Sequence, residues 1–562
     1  MYSCAQTVER MTGLSQKGTM ETPTQDHDRR HVLPYVLSHG GRNYFLVRQI
    51  EAGNLSAVDF STMPAVFFNP YFLPGRSQEA FRTVTDAVRA IVGDEKVTCD
   101  AEMPASIYTQ LRAELVVDVD RAPEMPVRTM RTTRTDVLRR FNHHRNEVAA
   151  VARRLTSGHP DENRLAEWYE ERPDKRFELL DSMASERGVD ALLGTWVADF
   201  QELSGFPGTL ASERGFAVLY LTGSDEVWLI IPSSVAFAEG SDSRDYPGLS
   251  AALRDIVPTG TVGYEADTIG ASALLDMEDR GIRLAPAGDL MQDWREEKAF
   301  LDIPYFVVAA MASRYAVDGA ADFATKAIRA GVEVTERDVD RVYLGLLSDF
   351  AKRERLPVTL EFYFTGNHTG ARTIFPARPG NHLLSRRSNS LKIDAGVFVV
   401  DDGLFHACSD IARTVTTTEA AAHVADAMEE VMLLETIPSI RPGMTGAEIH
   451  HMGVGQMASR NSTFSQTGYM PPGFDWATDY PRDIGHVIER QESNTFGFKP
   501  GISRPVHHGM VACVEFHCAY EDHAITCEDT FVVDDQGSIV ISRGPCEFGP
   551  EGEVSRRHSF RA

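Results

Sequence analysis

The sequence predicts a mixed α/β (α+β) protein in which two similar α/β domains precede a larger domain made of two related halves. Three observations lead to this prediction. The chain has 562 residues, which is too long for one ordinary hydrophobic core. Two segments of its first half share one order of predicted elements, and two segments of its second half share another. The hydrophobic fraction of 43% and the charged fraction of 24% are typical of globular proteins.

The first repeat consists of two stretches that each predict strand, loop, helix and strand. One is KVTCDAEMPASIYTQLRAELVVDVDRAPE (96–124), and the other is TVGYEADTIGASALLDMEDRGIRLAPAGD (261–289). A helix-like segment precedes each stretch, and strand-rich sequence precedes each helix. Copies this long indicate a duplicated domain, because solenoid repeats have periods of roughly 20–50 residues. We therefore predict a disordered polar tail at 1–30, a first α/β domain at 31–150, a helical linker at 151–175 and a second α/β domain at 176–290.

The second repeat predicts two related halves in the rest of the chain. In AIRAGVEVTERDVDRVYLGLLSDFAKRE and in SIRPGMTGAEIHHMGVGQMASR, a long amphipathic helix ends near an I-R-x-G pattern. A threonine then caps the start of another helix. Strand-like sequence follows each segment, PVTLEFYFTG after the first and GMVACVEFHCAYED after the second. We predict one domain around a central sheet at 291–550, followed by a tail at 551–562.

Composition and charge exclude several classes of partner. A formal net charge of −25 argues against duplex DNA or an anionic membrane, because no basic field offsets the repulsion of phosphates. No apolar run approaches the ~20 residues that a membrane helix needs, and the first residues lack an apolar signal-peptide core. The seven cysteines are odd in number and form no CxxC pair, which is typical of a reducing compartment. We therefore expect a cytoplasmic protein with no nucleic-acid and no membrane partner.

Four carboxylates and one imidazole stand out in the second half. LKIDAGVFVVDDGLFHACSDIART places Asp394 and Asp410 on the two sides of a hairpin, Glu515 and Glu528 lie inside apolar strands, and His486 follows a glycine. Burying a carboxylate costs free energy unless a cation or hydrogen bonds compensate its charge. The ordinary alternative for Asp394 and Asp410 is that they only cap the ends of their strands. This donor set suits Mn²⁺, Fe²⁺, Co²⁺ or Zn²⁺. Two such cations about 3.5–4 Å apart could hold a nucleophilic hydroxide between them.

The patterns D-A-G, S-D-I-x-R-T, G-H, V-E and x-E-D, in that order, resemble the pita-bread metalloenzyme family, which includes aminopeptidase P, prolidase, methionine aminopeptidase and creatinase. The resemblance covers about residues 176–545. It implies a C-terminal pita-bread domain behind two creatinase-like domains, as in eukaryotic cytosolic aminopeptidase P. It also implies a homodimer and two divalent metal ions, manganese foremost, with iron, cobalt or zinc as alternatives.

The resemblance further implies a role for each ligand candidate. Asp394 would bind one metal ion, while His486 and Glu515 would bind the other. Asp410 and Glu528 would bridge the pair, and Glu515 would also handle the proton of the attacking water. The D-D-G turn makes the hairpin longer than is usual in the family, and its two aspartates, at 401 and 402, are expected to face solvent.

The chain departs from the family at the histidines that bind substrate in its prolyl peptidases. Arg482, Ser493 and Arg372 stand at or near those places. A guanidinium cannot act as a base near neutral pH, but it can bind a carboxylate through two hydrogen bonds. We therefore predict that Arg372 and Arg482 bind a small anionic substrate. Each arginine could instead pair with a neighbouring acid such as Asp479 or Asp483.

Three residues are candidates for carrying protons in place of the missing histidines. They are His368, Glu492 and His517, the last of which shares a strand face with Glu515 by alternation. Each could instead have a structural or surface role. Cys513 lies on the same strand face, but a buried reduced cysteine is ordinarily a small core residue, and we interpret it so.

The sequence thus predicts a dinuclear-metal-dependent hydrolase that cleaves an amide or peptide-like C–N bond. The expected substrate is a small anionic molecule or a short peptide, and the expected nucleophile is a metal-bridged hydroxide. A second hypothesis keeps the fold and changes the reaction. In it the chain is a metal-dependent lyase on a small carboxylate substrate, similar to the family's dimethylsulfoniopropionate lyase, with Glu492 removing a proton. A third hypothesis is a non-catalytic binding module, similar to the histone-chaperone relatives of this fold.

Overall fold

The computed structural model describes most of the chain. The described residues are 1–3, 8, 10–11, 34–50, 61–70, 80–170, 173–208, 216–235, 243–297, 302–374, 379–385, 390–470, 472–480, 482–491, 496–520, 523–544 and 560–561.

The front part of the chain alternates strands and helices. Its strands are β1 (Tyr35–His39), β2 (Arg42–Arg48), β3 (Ala65–Phe68), β4 (Val97–Asp100), β5 (Val117–Asp120), β6 (Val127–Thr133), β7 (Ala191–Gly194), β8 (Ala217–Leu221), β9 (Glu226–Pro232), β10 (Arg244–Tyr246), β11 (Thr261–Tyr264) and β12 (Arg283–Pro286). Its helices are α1 (Val84–Val92), α2 (Ala105–Glu114), α3 (Arg134–Phe141), α4 (Arg145–Leu155), α5 (Glu162–Trp168), α6 (Arg176–Glu186), α7 (Val197–Ser204), α8 (Leu249–Ile256), α9 (Ala271–Asp279) and α10 (Gly288–Glu297).

The predicted front repeat is present in the structure. Strand β4, helix α2 and strand β5 form the first copy, and β11, α9 and β12 form the second; in each copy the two strands pair in parallel. The copies meet where their helices begin. The N–H of Ala105 donates to the carbonyl of Ile269 at 2.9 Å, and the N–H of Ala271 donates to that of Met103 at 2.8 Å. Because matching positions bond reciprocally, the two copies pack about a local two-fold axis.

The sheets do not follow the expected boundary near residue 150. Strands β1, β2 and β3 form one small sheet, whereas β6 belongs to a seven-stranded sheet with the order β10-β6-β9-β8-β7-β11-β12. Strand β6 comes before the expected boundary, yet it pairs with β9 along its whole length. The division of the front part into two domains at that boundary remains a prediction.

The described ends of the chain differ from the expected tails. The amino group of Met1 donates to the carbonyl of Thr98 at 2.6 Å, and Tyr2 pairs with Val36 of β1. At the other end, β22 (Phe560–Arg561) pairs in parallel with a strand of the C-terminal domain. Edge strands have unpaired backbone groups, and these short segments cover some of them.

The C-terminal part contains the two predicted halves. Its helices are α11 (Ile303–Ala330), α12 (Glu336–Glu354), α13 (Glu419–Glu430), α14 (Ile437–Ser439), α15 (Gly446–Ala458), α16 (Asn461–Thr467) and α17 (Trp476–Asp479). Its strands before β22 are β13 (Thr359–Thr365), β14 (His368–Thr369), β15 (Ser390–Asp401), β16 (Leu404–Cys408), β17 (Ile411–Thr416), β18 (Gly485–Ile488), β19 (Val511–Tyr520), β20 (His523–Val532) and β21 (Ile539–Val540).

The same capping pattern starts a helix in each half. The Thr335 side chain accepts from the N–H of Asp338 at the start of α12, and Thr445 accepts in the same way from Glu448 at the start of α15. In both cases the acidic side chain accepts back from the threonine N–H, so two unpaired helix donors are satisfied together. The predicted threonine caps are therefore confirmed.

The sheets of the two halves are joined at the strands that carry the candidate site. One sheet has the order β13-β15-β17-β22, with β14 and β16 on β15, and the other has the order β18-β19-β20-β21. The Thr414 hydroxyl on β17 donates to the carbonyl of Thr526 on β20 and accepts from its N–H, both at 2.9 Å. Helix α11 is mostly buried against β15 and β17 on one side and against residues of α4, such as Val148 and Ala152, on the other.

No helix within the described part of the chain combines the length and the apolar character required to cross a bilayer.

Candidate metal centre

The first two carboxylates lie on adjacent strands of one sheet. Asp394, in the middle of β15, is the register partner of Ala412 on β17, and Asp410 immediately precedes β17. Gly396 allows this approach, because a Cβ at its position would collide with the carbonyl oxygen of Ser409. The D-A-G pattern thus has a steric cause.

The hairpin turn between the two aspartates differs from the sequence expectation. Asp402 is exposed as expected, but Asp401 is buried, so the expectation that both face solvent was wrong. The cause is the segment that precedes α4: His144 Nδ1 lies 2.8 Å from an Asp401 carboxylate oxygen, and His143 Nδ1 lies 3.2 Å from Asp402. The extended hairpin therefore docks against the segment between α3 and α4.

The other ligand candidates lie on one face of the second sheet. His486 on β18 is the register partner of Cys513 on β19, and Glu515 is the partner of Glu528 on β20. Gly485 has φ +137°, and a Cβ there would collide with the carbonyl oxygen of Cys513. This close approach requires glycine and explains the G-H pattern.

A buried ion network holds the two sheets together behind the carboxylates. Arg413, from the S-D-I-x-R-T pattern, donates to both carboxylate oxygens of Asp529 at 2.8 Å, and it also donates to the carbonyl of Glu528 at 2.5 Å. Arg543 and Arg314 contact the same aspartate. Burial alone would raise the pKa of Asp529, but the three guanidinium groups hold it well below its usual range. The arginine of β17 therefore positions the strand that carries Glu528.

Four of the five predicted ligands come together. His486 Nε2 lies 3.9 Å from an Asp410 carboxylate oxygen and 3.6 Å from one of Glu528. Ligand atoms of Asp394, Asp410 and Glu528 all lie within 4.8 Å of one another. The arrangement brings residues from two sheets and three separate strands to one place.

The electrostatics of this cluster fit divalent cations. Asp410 Oδ1 and Glu528 Oε1 are buried and accept no hydrogen bond among the described residues. Burial and neighbouring carboxylates raise the pKa of Asp410 well above its usual value, and the same causes raise that of Glu528. Uncompensated buried acids are costly, whereas hard cations take carboxylate oxygens as ligands. The donors therefore fit a metal site, in which these three acids and His486 would be ligands.

Glu515 has a different neighbour from the one expected. Its carboxylate oxygen lies 3.5 Å from Arg482 Nη2, and Glu515 belongs to none of the three compact ligand groups of the described residues. Burial raises the pKa of Glu515, and the Arg482 charge opposes this shift. Arg482 Nε also lies 3.4 Å from Asp483, so the proposed pairing with a neighbouring acid is partly realised. Whether Glu515 binds metal remains a prediction.

Two residues of the cluster were not among the predicted ligands or substrate-binding groups. Lys392 is buried, and its Nζ lies 3.0 Å from an Asp394 carboxylate oxygen. Alternation along β15 could have indicated it, since residues two apart share a face. Cys513 was interpreted as a core residue, but its Sγ lies 3.2 Å from His486 Nδ1. It groups with His486 and Glu528 within 4.8 Å.

The remaining candidates are placed as follows. Arg372 Nε lies 3.1 Å from the buried carboxylate of Glu336, which is a structural pairing with a different acid from those expected. His368 is buried on β14, beside β15. His517 is buried; its Nδ1 lies 2.8 Å from the Thr526 hydroxyl, and burial lowers its pKa well below the usual value. Glu492 and Ser493 lie outside the described residues.

Comparison with known proteins assigns the domain to a family. Residues 309–535 match the model of metallopeptidase family M24, a span that includes every ligand candidate. The C-terminal domain belongs to this family. The M24 domain is thus that of a metal-dependent peptide-bond hydrolase, and the predicted pita-bread family is confirmed. No curated protein sequence matches the chain at a significant level.

Comparison with solved structures shows how much of the chain shares a known fold. The X-prolyl aminopeptidase from Caenorhabditis elegans, described as a cytosolic enzyme with a di-nuclear active site, has a TM-score of 0.56 and 13% identity over 93% of this chain and 79% of its own. The prolidase from Pyrococcus furiosus has a TM-score of 0.47 and 15% identity over 65% of this chain and 99% of its own. The likeness to the nematode enzyme includes the domains in front of the M24 domain and confirms the predicted fold class.

Proposed function

We propose that this chain is a dinuclear-metal-dependent hydrolase that cleaves an amide bond of a small, anionic, peptide-like substrate. The observation that carries the proposal is the convergence of Asp394, Asp410, Glu528 and His486, in which Asp410 Oδ1 and Glu528 Oε1 are buried without a hydrogen-bond donor among the described residues. When bound, two divalent cations supply a Lewis acid for the scissile carbonyl and lower the pKa of the attacking water.

The ligands divide into two groups that share Glu528. Asp394 and Asp410 complete one group, and His486 and Cys513 complete the other. His486 Nε2 also lies 3.9 Å from an Asp410 carboxylate oxygen. Glu528 lies between them, so its two oxygens suit a bridging role. This division supports two cations instead of one.

Glu515 is the proposed proton carrier. Its raised pKa favours the protonated form more than an ordinary glutamate would, so it can take the proton of the attacking water at an Oε atom. It can then deliver that proton to the leaving nitrogen. His517 lies on the same strand face, and its lowered pKa keeps the imidazole neutral, so Nε2 is available for a hydrogen bond with substrate. His368 and Glu492 remain further candidates.

The charges beside the cluster support an anionic substrate. Arg482 lies at the Glu515 side, and Lys392 lies at the Asp394 side. The Arg482 contacts with Glu515 and Asp483 are 3.5 and 3.4 Å, which are long for charge-assisted hydrogen bonds of about 2.7–2.9 Å. We therefore assign the substrate carboxylate to Arg482, which lies beside the cluster. Arg372, held by Glu336, is a weaker candidate for the same task.

Paired substrates test this function. Dipeptides with a free C-terminal carboxylate should be hydrolysed with lower KM than the same peptides with an amidated terminus. The variant Arg482→Gln should raise the KM for the free acids by roughly tenfold, the size expected for one charge-assisted hydrogen bond of ~1.5 kcal/mol, and leave the amides unchanged. Arg341→Gln, at an exposed arginine on α12, is the matched control.

Product analysis separates the rival reactions. Mass spectrometry should find both fragments of the substrate, with one water added between them. Fragments that contain a new alkene and no added water would show that the reaction is that of a lyase and not hydrolysis. No turnover of any peptide or small acyl acid by metal-loaded protein would leave the binding-module hypothesis.

We also propose a homodimer in the cytoplasm. The odd number of cysteines without a CxxC pair supports a reducing compartment. Light scattering of the purified chain tests the dimer, which should have twice the mass of the 62.2 kDa chain.

A further inference from the structure

Cys513 is placed where a metal ligand would be. Its Sγ lies 3.2 and 3.3 Å from the two ring nitrogens of His486, and its thiol, one nitrogen of His486 and a carboxylate oxygen of Glu528 all lie within 4.8 Å of one another. Two ligands of one tetrahedral zinc ion stand about 3.4–3.6 Å apart, given bond lengths of about 2.0–2.3 Å. The His486 distances to sulfur, 3.3 Å at Nε2, and to Glu528, 3.6 Å, are close to this edge length.

Glu515 is the carboxylate that could bind the same cation in place of Cys513, but it lies beside an arginine. Glu515 shares the strand face with Cys513, but its oxygen lies next to Arg482. Glu528 Oε1, in contrast, is buried without a hydrogen-bond donor among the described residues and faces the His486 side. The His486 half of the cluster therefore has one imidazole, one shared carboxylate and one thiol.

We propose that Cys513 is a thiolate ligand of the cation at His486 and that it makes this half of the site select zinc, cobalt or iron over manganese. The proposal rests on the proposed dinuclear function and deepens it. When the cation binds, the sulfur–hydrogen bond is replaced by a sulfur–metal bond and the proton leaves to solvent; no electron is transferred. Thiolates favour softer metals, whereas carboxylates alone favour manganese and magnesium. If this proposal is correct, the cation at His486 is not the manganese that the sequence predicts.

The competing interpretation is a thiol that donates a hydrogen bond to Glu528 and has no metal contact. Burial and the charges of Glu528 and Asp410 raise the pKa of the Cys513 thiol well above its usual value, so without a cation the sulfur stays protonated. The two interpretations differ in one observable, which is sulfur in the coordination sphere of the loaded protein.

Cobalt substitution of the full chain makes that observable visible. Protein loaded with Co²⁺ should contain about two equivalents and show intense near-ultraviolet absorption from thiolate-to-cobalt charge transfer. Cys513→Ser should lose this absorption and keep its cobalt. Cys518→Ser, at a buried thiol on the opposite face of the same strand, is the matched control and should keep the absorption.

Each other outcome overturns the proposal in a recognisable way. Two equivalents of cobalt without thiolate absorption in the unaltered chain would refute the thiolate ligand while the dinuclear function stands. Absorption that persists in Cys513→Ser would assign the sulfur to another residue. No cobalt in the unaltered chain would refute the proposed function itself, and the thiolate proposal with it.

Two further measurements keep the test valid if the serine variant folds poorly. X-ray absorption of the zinc-loaded, unaltered chain should show a sulfur shell at about 2.3 Å. In competition experiments, Cys513→Thr should lower the preference for Zn²⁺ over Mn²⁺ by roughly tenfold or more, because even outer supporting partners change metal affinity 10–100-fold. A spectrum with only oxygen and nitrogen neighbours, or an unchanged preference, would overturn the proposal.

Discussion

Glu515 and Glu528 are two neighbouring residues of one type for which we propose different roles. They are register partners on adjacent strands and point to the same face. Glu515 lies beside Arg482, whereas Glu528 lies beside His486 and Asp410. The sequence predicts both as metal ligands. The structure adds the position of Arg482, which lies next to Glu515 and not next to Glu528, and this difference is the basis for proposing Glu515 as the proton carrier and Glu528 as the bridging ligand.

The raised pKa values of Asp410 and Glu528 predict how stability depends on pH. Without cations, the folded protein binds these protons more tightly than the unfolded chain does. The stability that they contribute is therefore complete below the ordinary carboxyl pKa and is lost as the pH rises through the raised values. Added divalent cations remove this loss. The increase in melting temperature on adding cation should be larger at about pH 8 than at about pH 5.

Differential scanning fluorimetry with a chelator and with added cation measures this effect. The double variant Asp410→Asn/Glu528→Gln is the control, since neither amide can be ionised. Its melting temperature should show a smaller decline with pH in the presence of chelator. An identical decline in the double variant would mean that the cluster is not the source.

At the scale of elements, the sequence was informative where a local pattern has one structural meaning. The threonine caps of α12 and α15 and the strand–helix–strand copies of the front part could be predicted, because caps and periodicity depend on near neighbours. The burial of Asp401 could not, since it depends on His144, which lies more than 250 residues away in the chain. The same holds for the pairing of Arg372 with Glu336, because no periodicity connects their elements.

The network at Asp529 predicts a strong effect on the C-terminal domain. Asp529→Asn leaves Arg413 and Arg543 buried next to an amide in place of a charge, so it should lower the free energy of unfolding of this domain by about 3–5 kcal/mol. Because Arg413 also holds the Glu528 strand, cation affinity should fall as well.

Urea unfolding followed by tryptophan fluorescence measures the loss. Asp535→Asn is the matched control, since its side chain is exposed on the next turn of the chain. A variant at Asp529 as stable as that control would show that the network contributes little to the domain.

At the scale of the whole molecule, a second buried network connects the M24 domain to the front part. Arg490, four residues after His486, donates to Glu202 of α7 and to Asp302, both at 2.7 Å. Arg295 of α10 contacts both Glu489 and Asp199 in the same buried layer. The segment that follows the candidate metal histidine is therefore fixed by α7 and α10, which come before residues 309–535 in the chain.

Arg490→Met tests this connection. Two buried carboxylates would lose the Arg490 guanidinium, so the contact between α7 and the segment after His486 should weaken by about 3–5 kcal/mol. Hydrogen–deuterium exchange should then increase in α7 and at residues 485–491. Arg187→Met, which removes an exposed pair with Asp289, should leave exchange in both segments unchanged. Unchanged exchange in the Arg490 variant would show that the domains are held by other contacts.

Metal content tests the central claim most directly. The full chain, purified without chelator or affinity metal and then reconstituted, should contain about two equivalents of a divalent transition metal by mass spectrometry. Glu528→Gln should lose most of this metal, because both ligand groups share that carboxylate. Glu435→Gln, at a half-buried glutamate that pairs with Arg460 outside these groups, should keep it. A chain that binds no metal even after reconstitution would contradict the account, and the buried carboxylates would then need a different explanation.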